Sequence, residues 1–252
     1  LEAFEALLVF WDRPERLAQE IRTRFELHPA EKGIGEKNAL FTGYYQPVLE
    51  GSLSKSGEYR FPVYGRPKDL IVGEMVTLRP ESSVEMFVGR LDGERLVPYY
   101  SRDEIDRLGS LEGKGYEIAW VKDPVDLFFL HIQGSGILSL PDGTLRQVSY
   151  AASNGRRYTS IGRVLIDRGK ISEEEISMQS LRRYLAEHPD EREAILAMNE
   201  SYIFFRFVEQ GPVGSLGLPL TGGRSVATDA RLYPKGALAW ITTSMPLVDS
   251  TG

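Results

Sequence analysis

The sequence has 252 residues, a formal net charge of −6 and no cysteine. That length spans one large or two small domains. The acidic balance, with no basic block, argues against a nucleic-acid partner, and the lack of cysteine removes disulfides, thiolate metal sites and cysteine nucleophiles. His28, His131 and His188 lie far apart and form no paired ligand motif, so neither a metal nor another cofactor is expected. No apolar run reaches the ~18 residues of a membrane span. The first residue is Leu1 and not methionine, which leaves room for an export signal upstream.

From the N-terminus, Phe4, Leu7, Leu8, Trp11, Leu17, Ile21 and Phe25 recur at helical spacing, broken near Pro14. That predicts two short amphipathic helices. From Ala39 the pattern turns to strands. Phe41–Leu49 and Tyr59–Tyr64, separated by a polar turn, predict a hairpin with a long loop. Tyr44 and Tyr45 are adjacent, so on a strand they face opposite sides. One is expected in the core; the other can stack on a ligand ring. Asp92-Gly93 reads as a turn between two strand-like pieces, 86–91 and 95–97. Ser101 with Glu104 forms a capping-box pattern and Gly109 a stop, predicting a short helix. Tyr116–Val121 reads as a strand and Asp123-Pro124 as a turn.

The central stretch follows. An apolar run, Leu127–Ile132, ends in Gln133-Gly134-Ser135-Gly136. A short apolar run bounded by turn residues predicts a buried strand. Ile137–Leu140 and Arg146–Ala151 are further strands around the turn Pro141-Asp142-Gly143, and the second runs into Ser153-Asn154-Gly155. Gly134 and Gly136 let the backbone approach something closely or take positive φ. Gln133, Ser135, Ser153 and Asn154 offer amide and hydroxyl groups near strand ends. That set suits a neutral polyhydroxyl ligand better than a phosphate, because no lysine follows the glycines. A bulge and two tight turns in an ordinary β-barrel would explain the same residues.

Ser160–Arg168 predicts a helix capped by Ser160. Ser172 opens a second, with Glu175 at the capping-box position and Glu173–Glu175 complementing the helix dipole. Ser177–Glu187 predicts a third, with Met178, Leu181, Tyr184 and Leu185 on one face, and Asp190–Met198 a fourth. Ser201–Val208 reads as a strand, Gly211–Gly223 as a long connection, and Ser225–Asp229 and Ala237–Ile241 as strands. Helices, strands, helices and strands in that order indicate a mainly β, α+β fold, its closing strands packing against its beginning.

Several blocks now carry a resemblance: Phe41–Val48, Gln133–Gly136, Ser149–Gly155, Ser160–Gly169, Ser177-Met178-Gln179 and Asn199–Phe205. In that order, from about residue 40 to the end, they resemble the membrane-bound lytic murein transglycosylase A family. The resemblance implies a double-psi β-barrel domain built from residues 1–37 plus 199–252, its C-terminal part missing. It implies a second, inserted β-barrel-like domain at 38–198, with a glycan-binding groove between the two. The implied reaction cleaves the β-1,4 bond between N-acetylmuramic acid and N-acetylglucosamine of peptidoglycan and forms 1,6-anhydromuramic acid. One aspartate serves as acid and then base, unlike the carboxylate pair of ordinary glycosidases. Ser225–Asp229 with Pro234-Lys235-Gly236 resembles the opening of the family's three-aspartate module, which would make Asp229 a supporting group that holds loops by hydrogen bonds. The segment that carries the family's catalytic aspartate does not appear; Asp249 resembles its start but falls before the expected strand. The catalytic residue is therefore expected beyond Gly252. The implied partner is the peptidoglycan glycan strand, met by a monomer on the periplasmic side of the envelope, with an outer-membrane lipid anchor outside this chain.

Substrate binding is expected at Gln133, Gly134, Ser135, Ser153, Asn154 and Gly155, with Tyr44 or Tyr45 and Tyr158 as stacking or hydroxyl partners. Arg156 and Arg157 either meet muramoyl or peptide carboxylates or point to solvent. For Asp126, Asp167 and Asp229 structural roles are expected: a turn cap, an ion pair with Arg168, and loop support. Two other readings compete: a catalytically incomplete peptidoglycan-binding module, and a β-barrel hydrolase with paired carboxylates that releases reducing ends.

Overall fold

The computed structural model describes residues 2–26, 45–76, 84–209, 211–214, 216–229, 233–234 and 236–241. The chain divides into two units, Leu1–Tyr44 and Tyr45–Gly252. In the first, helices α1 (Glu2–Leu8) and α2 (Pro14–Arg24) match the predicted pair. Pro14 lies in the first turn of α2, where its missing N–H leaves no bond unmade. Leu7 and Leu17 are buried, and Phe4 meets Phe25 edge-on with ring centres 5.1 Å apart.

The second unit mixes helices and strands. Its strands are β1 (Val48–Ser52), β2 (Phe61–Tyr64), β3 (Ile71–Val76), β4 (Val84–Asp92), β5 (Arg95–Pro98), β6 (Glu117–Val121), β7 (Ser135–Ser139), β8 (Leu145–Ser153) and β9 (Ile203–Val208). Its helices are α3 (Arg102–Asp106), α4 (Pro124–Gln133), α5 (Ile161–Asp167), α6 (Met178–Glu187) and α7 (Pro189–Ala197). The larger sheet has the order β2-β6-β1-β7-β8-β9, and β3-β4-β5 form a separate three-stranded sheet. The larger sheet curls until one parallel bridge, Gly65 with Phe205, links its two outer strands. A single bridge is not a ladder, and no closed barrel forms among the described residues.

Several sequence expectations hold. The β4–β5 hairpin turns at Asp92-Gly93, with Gly93 at φ 60°. The capping box of α3 is complete, Ser101 accepting from the Glu104 N–H and Glu104 accepting from the Ser101 N–H. Ser160 caps α5 and Ser177 caps α6.

Others are corrected. The predicted hairpin of β1 with β2 does not form: β6 lies between them, antiparallel to both. Pro62 in β2 cannot complete a ladder on both sides, which suits the sheet edge where β2 lies. β1 takes β7 as its other neighbour, in parallel. Ser172 opens a turn and no helix; its hydroxyl donates to Glu175 at 2.9 Å, so the acidic run complements no helix dipole. Ser225–Asp229 and the described Ala237–Ile241 are irregular chain, not strands.

The largest correction falls on the central stretch. Leu127–Ile132 is not a strand but the body of α4. Asp123 caps it, accepting from the backbone N–H of Val125 at 2.6 Å and of Asp126 at 3.3 Å. Pro124 takes the first helical position, and Gly134 at φ 74° closes the far end in the left-handed conformation that a side chain resists. The helix is apolar nearly all round because it packs on two sides. Leu127 and Leu130 join Leu49, Val121, Leu138 and Phe205 in one core cluster. Val125, Phe128 and Phe129 join Leu165, Leu185 and Leu196 in another.

Candidate functional site

Parallel pairing of β1 with β7 puts the starts of both strands at one end of the sheet, and antiparallel pairing brings the end of β8 and the start of β9 there too. Tyr45–Pro47 lead into β1, and the Ile137 N–H donates to the Pro47 carbonyl at 2.8 Å. Gln133 and Gly134 end α4, and Ser135 begins β7 opposite Ser149. Ser153 ends β8 opposite Ile203, and Asn154 and Gly155 follow. Residues expected from the sequence to bind one ligand therefore share one strand end, although the element before Gly134 is a helix. Tyr44 lies outside the described residues.

The side chains there are not equally available. Tyr45 is 39% exposed and its hydroxyl donates to the Met178 sulfur at 2.9 Å. Tyr158 is 54% exposed. Ser135 is buried, and Gln133 and Ser153 are partly buried. Asn154 is buried and its amide is fully spent. It donates to the carbonyls of Tyr100 and Glu200 at 2.9 and 2.8 Å and accepts from the N–H of Arg156 and Tyr202 at 3.2 and 2.8 Å. An amide side chain has two donors and one carbonyl, so Asn154 fastens the loop and offers a ligand no free group. Gly155 has φ 71°, and a Cβ there would fall 2.4 Å from that of Val88. Only glycine lets this turn lie against β4. Arg156 is likewise engaged, its Nε donating to the Tyr99 carbonyl at 2.9 Å and its other nitrogens 3.9 Å from Glu104 and Glu200. Arg157 is exposed. Tyr150, which the sequence reading did not single out, is 49% exposed, next to a register shift in β8 that breaks the simple alternation.

No acid–base group emerges from the aspartates considered. Asp126 stands in the first turn of α4, about 10 Å along the helix from Gln133 at 1.5 Å per residue, and pairs with Arg182. Asp167 pairs with Arg163 at 2.9 Å, one helical turn back, and not with Arg168. Asp229 is exposed, and its carbonyl accepts from the Tyr233 N–H at 2.9 Å.

The sequence profile of the MltA-specific insert domain matches residues 40–206. The chain belongs to the MltA family. The membrane-bound lytic murein transglycosylase A of Escherichia coli K12 is 36% identical over 218 residues, which cover 85% of this chain and 52% of that protein. A crystal structure of membrane-bound lytic murein transglycosylase from Agrobacterium tumefaciens superposes with a TM-score of 0.64 at 40% identity, covering 73% of this chain and 51% of that one. A crystal structure of E. coli MltA with bound chitohexaose gives 0.61 at 33% identity, covering 77% and 50%. The chain thus spans about half the length of the MltA proteins it matches.

A second feature of this MltA-family chain lies apart from the expected residues. A cleft of about 640 Å³ opens between α3, β2, β6, the start of α4 and α7, and none of the binding residues expected from the sequence lines it. Its floor holds the buried Arg102. That guanidinium donates to the carbonyls of Asn199 and Ser201 at 2.9 and 2.7 Å and reaches Asp106 at 3.4 Å. It also stacks on Phe128 and Tyr202, 4.8 and 5.0 Å from the ring centres. Burial lowers the pKa of Arg102, against the raising effect of Asp106. Burial also raises that of Asp106, against the pull of Arg102. Asp106 still keeps 40% of its side chain open, as a carboxylate ringed by protein at a cleft floor does. The Tyr202 hydroxyl is buried beside Asp106, and burial, then the charge of that carboxylate, raises its pKa well above the usual tyrosine value. Behind it His131 is buried with both ring nitrogens unpartnered, its ring 4.2 Å from that of Tyr202. Burial, then the charge of Arg102, holds its pKa well below 6.5, so it is neutral. The sequence signal for this cluster was Arg102 itself, a charged residue just inside a capped helix; nothing local indicated its burial.

Proposed function

We propose that this chain is part of a lytic transglycosylase that cleaves the β-1,4 bond between N-acetylmuramic acid and N-acetylglucosamine of murein and leaves 1,6-anhydromuramic acid. The observation that carries the reading is the match of residues 40–206 to the MltA-specific insert domain, with relatives named for that activity. In this reading residues 38–198 form the inserted domain, and residues 1–37 and 199–252 belong to the double-psi barrel. The sheet end at Tyr45, Gln133–Ser135 and Ser153–Gly155 faces the glycan, with Tyr158 as a second aromatic contact. Exposed aromatic faces beside backbone and amide groups suit sugar rings, which offer apolar faces and polar edges. Asn154 acts by holding the loop and Asp229 as a supporting group. Asp126 and Asp167 are held in ion pairs, so neither is assigned the acid–base role.

The same reading puts the protein on the periplasmic side of the envelope as a monomer, with a lipid anchor to the outer membrane. No helix among the described residues is long and apolar enough to cross a membrane. The ion-paired aspartates also favour a second reading, a module that holds glycan without cutting it. Mass spectrometry of the material released from purified murein separates the two. Soluble fragments one water lighter than hydrolysis products are expected. Glycan retention without release favours the binding module, and reducing ends would exclude transglycosylation.

A further inference from the structure

Most charges around the cleft are neutralised locally. Lys55 pairs with Glu112 at 3.1 Å, Arg107 with Asp103 through two bonds of 2.8 and 2.7 Å, and Arg102 with two carbonyls and Asp106. Two cations on the lining, Arg60 and Arg192, and two carboxylates, Glu117 and Glu193, have no ion pair among the described residues, and the Nε of Arg192 is buried with no hydrogen-bond partner. A buried guanidinium nitrogen left unmatched calls for an acceptor. Asp106 presents the complementary acceptor from the floor. The wall also carries the aromatic rings of Phe61, Tyr64 and Phe128.

This pattern suits a ligand that carries anionic, cationic and small apolar groups together. A neutral sugar supplies no charge to either end. A phosphate would meet Asp106 unfavourably. A short peptide with free carboxylate and amino groups supplies all three, and about 640 Å³ lies within the usual range for a small-ligand site. We propose that the cleft binds the peptide arm of murein, its ammonium on Asp106 and a carboxylate on Arg192 and Arg60. This assignment rests on the proposed murein reading. It adds a second contact, separate from the strand end that faces the glycan, so that a cross-linked strand would be held by both sugar and peptide.

The test is a pair of calorimetric titrations of the full chain, one with the sugar-free murein tetrapeptide and one with chitohexaose. Saturable peptide binding is expected. Arg192→Ala and Arg60→Ala should each weaken it about tenfold, the loss of one charge-assisted contact, and Asp106→Asn should weaken it as well. Arg60 is exposed, so its variant keeps the fold even if Asp106→Asn does not. Chitohexaose affinity should be unchanged in Arg60→Ala. Absence of peptide binding, peptide affinity unaltered in both arginine variants, or competition between the two ligands would overturn the assignment. Peptide binding without chitohexaose binding would keep the cleft and remove the glycan reading; chitohexaose binding without peptide binding would do the reverse.

Discussion

The strand end and the cleft treat polar groups in opposite ways. At the strand end, Asn154 and Arg156 spend their hydrogen bonds on neighbouring backbone, which leaves exposed tyrosines and turn backbone to meet a ligand. At the cleft, charge is incompletely matched: the buried Arg102 is held against Phe128 and Tyr202 beside the half-open Asp106, while the Arg192 Nε is buried with no hydrogen-bond partner. In the first region the groups that hold the loop are satisfied within the protein, so what is left to a polyhydroxyl chain is mostly aromatic and backbone surface. The second has charge to spare, which points to a charged ligand.

That contrast can be broken most strongly at Arg102. Arg102→Met leaves the carbonyls of Asn199 and Ser201 without their donor and Asp106 without its cation, and about 3–5 kcal/mol should be lost, since each buried unmatched group costs about 1–3 kcal/mol. A urea titration should show the midpoint falling accordingly. Asn154→Ala comes next. It removes four hydrogen bonds at the loop junction, and about 3 kcal/mol should be lost, since each has a net worth of about 0.5–1.5 kcal/mol. Glycan affinity should fall with it, because the loop carries Gly155 and Tyr158.

How far these regions could be read in advance differs for a physical reason. Local signals were decisive at most turns where a side chain bonds nearby backbone: the Ser101–Glu104 box, the Ser160 and Ser177 caps and the Asp92-Gly93 turn formed, while the Ser172–Glu175 pair made a turn and no helix. They failed where tertiary packing sets the pattern. Helix α4 is covered on two sides, so its run lacks the one-sided periodicity of a surface helix and reads as a strand. Asp123-Pro124 before it and Gly134 after it were helix start and stop signals that the apolar run outweighed. The placing of β6 between β1 and β2 depends on a long-range pairing that no local turn announces. The gathering of Tyr45, Gln133 and Ser153 at one end was legible only as a set of polar residues near strand ends; the β1–β7 parallel pair is what joins them. Arg102 and His131 were illegible as a cluster, because burial of a charge is a property of the packed fold.

A smaller effect, of opposite sign, is expected at His131. His131→Phe replaces a ring with two unmatched nitrogens by one that suits its aromatic neighbours Tyr202 and Phe205. Stability should rise by about 1 kcal/mol at pH 7. The pH dependence should change as well. In the folded chain the pKa of His131 lies well below 6.5, whereas in the unfolded chain it returns to that value. Between the two the unfolded state binds the extra proton. Stability is therefore complete above pH 6.5 and falls as the pH drops, by up to about 1.4 kcal/mol per unit. Urea titrations at pH 5 and pH 7 should show this loss in the parent chain and its disappearance in the variant.

The smallest change in stability is expected at Gln133, which is partly buried at the end of α4. Gln133→Ala should shift stability by no more than about 0.5 kcal/mol. Because its fold would be preserved, this variant tests the central claim, that the sheet end where α4 meets β7 faces the glycan. The measurement is a chitohexaose titration of the parent chain and Gln133→Ala side by side. Weaker binding by the variant at matched stability is expected. Equal affinity in the two would contradict it and place glycan contact elsewhere on the molecule.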